Sequence, residues 1–466
     1  MQRTQSQWWA SLVCLMLVLM RLSPDAAAEA WSGSVLNMQM APSQLQADER
    51  QVGVPLHLSE TYSYTVYLPL VESPFVAPTV LLSPSSSVSF PTMWNNRPVL
   101  ADSNSPAHWD GDMFYLINSS GGPYWSSGVD LFNLSPTSPA DFDDVDDGGR
   151  WMEATYQAAD GTLYGWYHYE QRDVCPGDRS REPRIGAAKS FNNGLDWQDL
   201  GIILTAPPGT LNCDTQNLYF GGGVGDFSVM LDPQEDYFYI FYDAYAGEAS
   251  QQGVAVARLP FADRDAPVGQ AVKWYEGAWD QPGLGGLNTP IFPVRVDWND
   301  SSADAMWGPS IHWNTHVNAY VILLNHVVDG DWYQEGIYVT FNPRLDDPTQ
   351  WTQPTELMDR QMLQDYDLLF WGGYYPQVIG TARGESDKLA GRTARFFISG
   401  KSVFEITFLK PGESALESSG QVEALPRPVT LARSDESVRD ARRSVAQHYQ
   451  PSREPDPGAA GPDAGP

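Results

Sequence analysis

Gly225–Tyr245 (GDFSVMLDPQEDYFYIFYDAY) reads as a polar entrance, an apolar run, a turn and an aromatic run. Apolar side chains crowd Phe227–Leu231 and aromatic ones Tyr237–Tyr242, with Asp232-Pro233 and further acidic residues between them. Two β-prone runs separated by a Pro/Asp turn predict a pair of antiparallel strands. The same order recurs along the chain. Asp102 precedes SPAHWDGDMFYLIN, Glu153 precedes ATYQAADGTLYGWYHYE, Gly308 precedes PSIHWNTHVNAYVILLNH, and Gln377 precedes VIGTARGESDKLAGRTARFFISG. A lone hairpin cannot bury its apolar face, so five of them predict radial stacking. The expected fold is all-β, a five-bladed β-propeller over residues 95–410.

The flanks differ in pattern. Arg3, the apolar run Trp8–Met20 and the small-x-small sites Ala26-Ala27-Ala28 and Ala28-Glu29-Ala30 predict a signal peptide over residues 1–30. It is too short and wrongly flanked for a membrane span. Val13 is too large for a lipid-attachment site at Cys14. Residues 31–94 form an N-terminal extension with strand-like runs at Tyr62–Leu70 and Val80–Phe90, either a flap or the strand that closes the ring. Residues 411–466 are charged and then rich in Pro and Gly. There Ser434–His448 suits a short helix, and Pro451–Pro466 is expected to be disordered because it has nothing to bury.

Charge and cysteines narrow the partners. The 466-residue chain carries a formal charge of −30, which repels nucleic acid. Of three cysteines, Cys14 leaves with the signal peptide, and Cys175 and Cys213 lie in polar loops. Two thiols in an exported chain predict one disulfide and a secreted or periplasmic location, with two free thiols as the alternative. They are too few for a zinc site. The acidic loop Asp141–Gly149 fails the calcium-loop spacing, with Val145 fifth and Met152 twelfth. It reads as a solvated loop, a structural calcium being the alternative, and no other cofactor is expected. A monomer is expected, with no membrane contact after cleavage. Aromatic residues make up 12% of the chain, which serves strand packing and can also supply platforms for sugar rings.

In a propeller the head of each inner strand faces one end of a central funnel. Those positions hold Asp102, Glu153, Asp226, the Trp307-Gly308 stretch and Gln377. Carboxylates gathered from different blades push their pKa values apart and can provide one acid and one base. Glycoside hydrolysis needs that pair. Glu153 could equally pair with Arg150 or Arg184. Trp166, His168 and Glu170 alternate along one strand and share a face, which suits substrate binding or plain strand packing. His312 has the same two readings, and His316 is expected to be exposed in a turn. Asp110, Asp112, Asp160 and Asp232 are turn residues. No phosphate loop, nucleophile elbow or metal helix is found.

Ser190–Trp197 (SFNNGLDW) resembles the Asp-box, a hairpin motif of sialidases and other propellers, with Asn192 in place of the Asp and Asp196 in place of the Thr. Over residues 95–400 the blade pattern resembles the five-bladed propeller glycoside hydrolases, especially family 43 and its invertase and levansucrase relatives. The resemblance implies that Asp102 is the general base and that Asp226 tunes the acid. The family's acid is a Glu in an E-G-P-like strand. The matching stretch, Trp307-Gly308-Pro309, lacks it. The acid role then falls to Glu153, or the chain binds carbohydrate without cleaving it. A sialidase-like enzyme, needing an arginine cluster, and a protein-interaction platform are the remaining readings.

Overall fold

Each of the five sequence hairpins forms the inner antiparallel strand pair of a separate sheet. These relations come from a computed structural model that describes residues 75–414, apart from 95–96, 144–147, 176–180, 218 and 370–371. The first sheet starts with Ala107–Asp110, the second with Gly149–Gln157 and the third with Val224–Leu231. Asp304–Asn314 starts the fourth and Pro376–Gly380 the fifth. Five sheets in chain order, each built outward from its own inner strand, are the blades of a five-bladed β-propeller.

The ring is closed by a strand from before the first blade. Thr79–Ser89 pairs antiparallel with Lys401–Leu409 and completes the fifth sheet. Of the two uses open to the Val80–Phe90 run, it takes ring closure. A register break lies between Pro84 and Val88, and buried Arg395 fills it. Its guanidinium donates to Ser85 Oγ, the Ser86 carbonyl and Ser402 Oγ. The signal peptide, Tyr62–Leu70, Ser434–His448 and Pro451–Pro466 lie outside the described residues, as does part of the Asp141–Gly149 loop.

Large side chains fill the wedges between blades. Trp166 of the second blade packs on Phe238 of the third, with ring centroids 4.8 Å apart. Phe241 of the third, Ile311 and Ile322 of the fourth, and Trp351 share the next wedge. Each such side chain contributes roughly 1.5–3 kcal/mol by leaving water. Trp351 thus packs between blades, in contact with Phe241.

The Asp-box stretch closes its hairpin as the motif implies. Ser190 Oγ donates to Asn192 Oδ1 and accepts the Gly194 N–H, while Trp197 donates to the Gly194 carbonyl and is buried beneath the turn. Cys175 and Cys213 form the expected disulfide, with Cα atoms 5.6 Å apart. His316 departs from expectation. It is half-buried, because Glu413 reaches it from beyond the last strand, 2.9 Å from Nε2.

The feature that builds the site is a repeated defect. The inner strands of the second, third and fourth blades all lose register at their heads. The ladder skips Glu153 between Met152 and Ala154, Asp226 between Gly225 and Phe227, and Gly308-Pro309 between Trp307 and Ser310. A bulge bends the strand and re-aims the extra side chain out of the sheet face. Asp226 accordingly has φ 39° and Gly308 φ 61°.

Candidate functional site

Three bulges would mean little if their side chains diverged. Asp102, Trp151, Glu153, His168, Glu170, Phe220, Asp226 and Tyr375 instead line one cleft of about 220 Å³. Four blades contribute: Asp102 heads the first, Glu153, His168 and Glu170 lie on the second, Asp226 on the third, and Tyr375 precedes the fifth.

Glu153 is 1% exposed, and its Oε2 accepts the Phe227 N–H at 3.0 Å. This bond ties the second blade to the third. Burial pushes the Glu153 carboxyl up, to about 7, against the pull of His168. Asp226 is also buried, and both its oxygens are engaged. Tyr245 donates its hydroxyl to Oδ2, and Tyr375 donates to Oδ1 at 3.0 Å. Asp102 is different. It stays exposed at the cleft, although protein surrounds it on every other side. Confinement raises its carboxyl, with Glu170 and Asp226 adding repulsion.

His168 sits among these acids. Its Nδ1 lies 3.5 Å from Glu153 and 3.9 Å from Asp226, and its Nε2 lies 3.7 Å from Glu170. Burial alone would lower the imidazole, but Glu153, Asp226 and Glu170 outweigh it and raise the group to about 9. One contact opposes them. The Asp226 backbone N–H points at the same Nδ1, 3.0 Å away, and can bond only to an unprotonated nitrogen. Nδ1 therefore has two states: it accepts from Asp226, or it carries a proton and faces Glu153. Gly225 makes room for the ring, since a Cβ there would lie 2.5 Å from His168 Cε1.

One atom each from Glu153, His168 and Asp226 lie within 4.8 Å of one another, a spacing that suits a cation. The Asp226 amide already occupies the His168 nitrogen nearest the two acids. The trio is thus a hydrogen-bonded set, and we assign it no ion.

Other expected binding residues lie elsewhere. Trp166 shares a strand face with His168 and Glu170, but lower down, where the third blade covers it; only the upper end of that face opens to the cleft. Trp307 is buried against Trp332 and Tyr375. His312 packs on Phe408, and burial lowers it to about 3. Gln377 holds the fifth blade to the first through both the N–H and the carbonyl of Ser105. Arg150 stacks near Phe142, Tyr167 and Tyr169, while Arg184 pairs with Glu182, so neither serves as the partner proposed for Glu153.

The position that matches the family's catalytic Glu holds Trp307, a buried indole packed on Trp332 and Tyr375. At the next residue the Gly308 N–H donates to Asp243 Oδ2 at 2.7 Å. Asp243, Tyr245, Tyr375 and Phe220 were not singled out from the sequence. Asp243 had a signal: it is the acid within an aromatic run, and hairpin pairing sets it opposite Gly225. Tyr375 and Phe220 lie outside regular strands and had none.

No protein-family profile matches the chain, and no curated protein matches it. Solved structures do. The exo-β-1,3-galactanase of Phanerochaete chrysosporium is 13% identical with a TM-score of 0.40, over 70% of this chain and 63% of that one. The chain thus spans less than two thirds of that enzyme's length. The endo-arabinase of Bacteroides thetaiotaomicron is 11% identical with a TM-score of 0.42, over 72% and 99%. An α-L-arabinanase of Cellvibrio cellulosa is 13% identical with a TM-score of 0.39, over 66% and 91%. The likeness is one of fold: a five-bladed propeller that resembles the family 43 glycoside hydrolases.

Proposed function

We propose that the protein is a secreted glycoside hydrolase that works through the carboxyls of its propeller cleft. The observation that carries this reading is the pairing of unlike acids in one small cavity, Asp102 open to water and Glu153 sealed beside His168. Both are raised, Glu153 to about 7, so near neutral pH the set keeps at least one proton to give to a leaving oxygen. The family resemblance names Asp102 as base and Asp226 as the group that tunes the acid; with the family's Glu absent, the acid role falls to Glu153. In so close a set the protons belong to the whole. Which carboxyl acts as acid depends on which one meets the leaving oxygen. The Cys175–Cys213 disulfide and the apolar N-terminus support export. A monomeric protein with a carbohydrate substrate fits this reading.

A second reading has its own support. The buried Trp307 stands where the family carries its acid, which favours a propeller that binds a glycan without cleaving it. The experiment is a panel of aryl glycosides and polysaccharides, with Asp102→Asn and Glu153→Gln as controls. Turnover that either substitution reduces by about 10²–10⁴ supports the hydrolase, the usual size of general acid–base catalysis. No turnover, together with binding on a glycan array, selects the second reading.

A further inference from the structure

Behind the cleft lies a carboxyl that the proposed chemistry does not use. Asp243 is fully buried on the second strand of the third blade, opposite Gly225 in the ladder. Its Oδ2 accepts the Gly308 N–H at 2.7 Å and lies 3.4 Å from the Tyr245 hydroxyl. Among the described residues its Oδ1 has no hydrogen-bond partner. The Tyr245 hydroxyl is also in close contact with Asp226 Oδ2, so one phenol bridges two buried acids.

The hydrogens can be counted. Tyr245 has one to give. The shorter contact, to Asp226, takes it. What remains between Asp243 and Tyr245 is oxygen facing oxygen, and it attracts only if Asp243 supplies a hydrogen. An ionised Asp243 would also leave one oxygen bare in the interior, with Asp226 and Glu153 repelling it from neighbouring strands. Among the described residues, the Gly308 amide and the Tyr245 hydroxyl are the donors that face it, and its strongest charged neighbours are Asp226 and Glu153.

We propose that Asp243 is a positioning residue that remains protonated at neutral pH and, by donating to Tyr245, commits the Tyr245 hydroxyl to Asp226 in the cleft. The chain then runs Asp243 O–H to Tyr245 O–H to Asp226, with Tyr375 closing the other oxygen of Asp226. The blade-four defect takes part, because the amide exposed at Gly308 holds the far end of the chain. The chain from Asp243 to Asp226 is the same whether the cleft cleaves its ligand or only binds it.

The test compares wild type with Asp243→Asn, which keeps the shape of a neutral carboxyl. A carboxyl raised in the folded state gives up stability over the whole interval from its ordinary pKa to its raised one. The two proteins should therefore melt closest together near pH 4, and the wild type should fall progressively below the variant, by several degrees, toward pH 8. A gap equal at both ends, or an Asp243→Asn protein that does not fold, overturns the proposal, because either outcome means the charge itself is needed. Infrared difference spectroscopy gives an independent readout on wild type. A buried carboxyl C=O band present near pH 6 and missing from Asp243→Asn supports the protonated state. Identical spectra overturn it.

Discussion

Asp226 donates its backbone N–H to Nδ1 of His168, 3.0 Å away on the neighbouring blade. A main-chain donor cannot turn aside, so this bond depends wholly on the imidazole. Where the ring is neutral, His168→Ala leaves the amide buried without an acceptor, at a cost of about 1–3 kcal/mol. The charge effect is separate. A histidine raised to about 9 stabilises fully below its ordinary pKa, and that contribution fades as pH rises through 9. His168→Ala should therefore destabilise more near pH 6 than at pH 9 or above, as measured by chemical denaturation at both. Equal losses would mean that the carboxyls around the ring do not charge it.

Glu153 provides the sharpest separation of stability from activity. Its Oε2 accepts the Phe227 N–H, and glutamine can do the same with its carbonyl. Glu153→Gln also mimics the neutral form that burial favours. A carboxyl raised to about 7 gives up stability between its ordinary pKa and that value, so the variant should melt near wild type at pH 5 and above it at pH 8. Turnover should meanwhile fall by about 10²–10⁴. A variant as active as wild type would remove Glu153 from the chemistry and leave it a strand tie.

Restoring the family's acid should fail. Trp307→Glu removes an indole packed against Trp332, Tyr374 and Tyr375 and leaves a carboxyl in its place. Losing a buried Trp side chain costs ~3–5 kcal/mol, and a buried carboxyl without a partner adds to that. Lower stability with no gain in hydrolysis is the expected result, read from thermal melts and the same glycoside panel. A gain in rate would show that the blade-four position still serves the cleft.

The hairpins were legible because each pairs a run of apolar residues with a turn, and every one became the inner pair of a blade. Asp102, Glu153 and Asp226 were legible because a carboxyl at the head of an apolar strand must face something polar. Period-two alternation fails for Trp166, which shares a face with His168 yet sits in a wedge. Alternation tells which side of a strand a residue occupies, not how far up the strand the neighbouring blade reaches. Gln377 misled for the same reason: a polar side chain near the axis found a backbone partner, Ser105, rather than the cleft. The bulges themselves left no mark in the pattern, since one extra residue does not disturb so short a run. Tyr375 reaches Asp226 from a sequence separation of 149, which no local pattern encodes.

The disulfide has a mechanical consequence for the cleft. Cys175 and Cys213 are 38 residues apart, and a loop of that length predicts about 3–4 kcal/mol of stabilisation in the chain-entropy model. The bridge also brackets a cleft wall. Just after Cys175 along the chain, Arg181 pairs its backbone with Tyr219 and Gly221, on either side of the cleft residue Phe220, and its side chain lies 3.9 Å from Glu170. Cutting the bridge loosens both strands of that wall at once while leaving the bulges that hold Glu153 and Asp226 intact. The double variant Cys175→Ala/Cys213→Ala should thus lose a few kcal/mol in denaturant and raise KM several-fold, with a smaller change in kcat. A loss confined to kcat would place the effect on the acids themselves, and a denaturation curve unchanged by reduction would show that the loop is held without the bond.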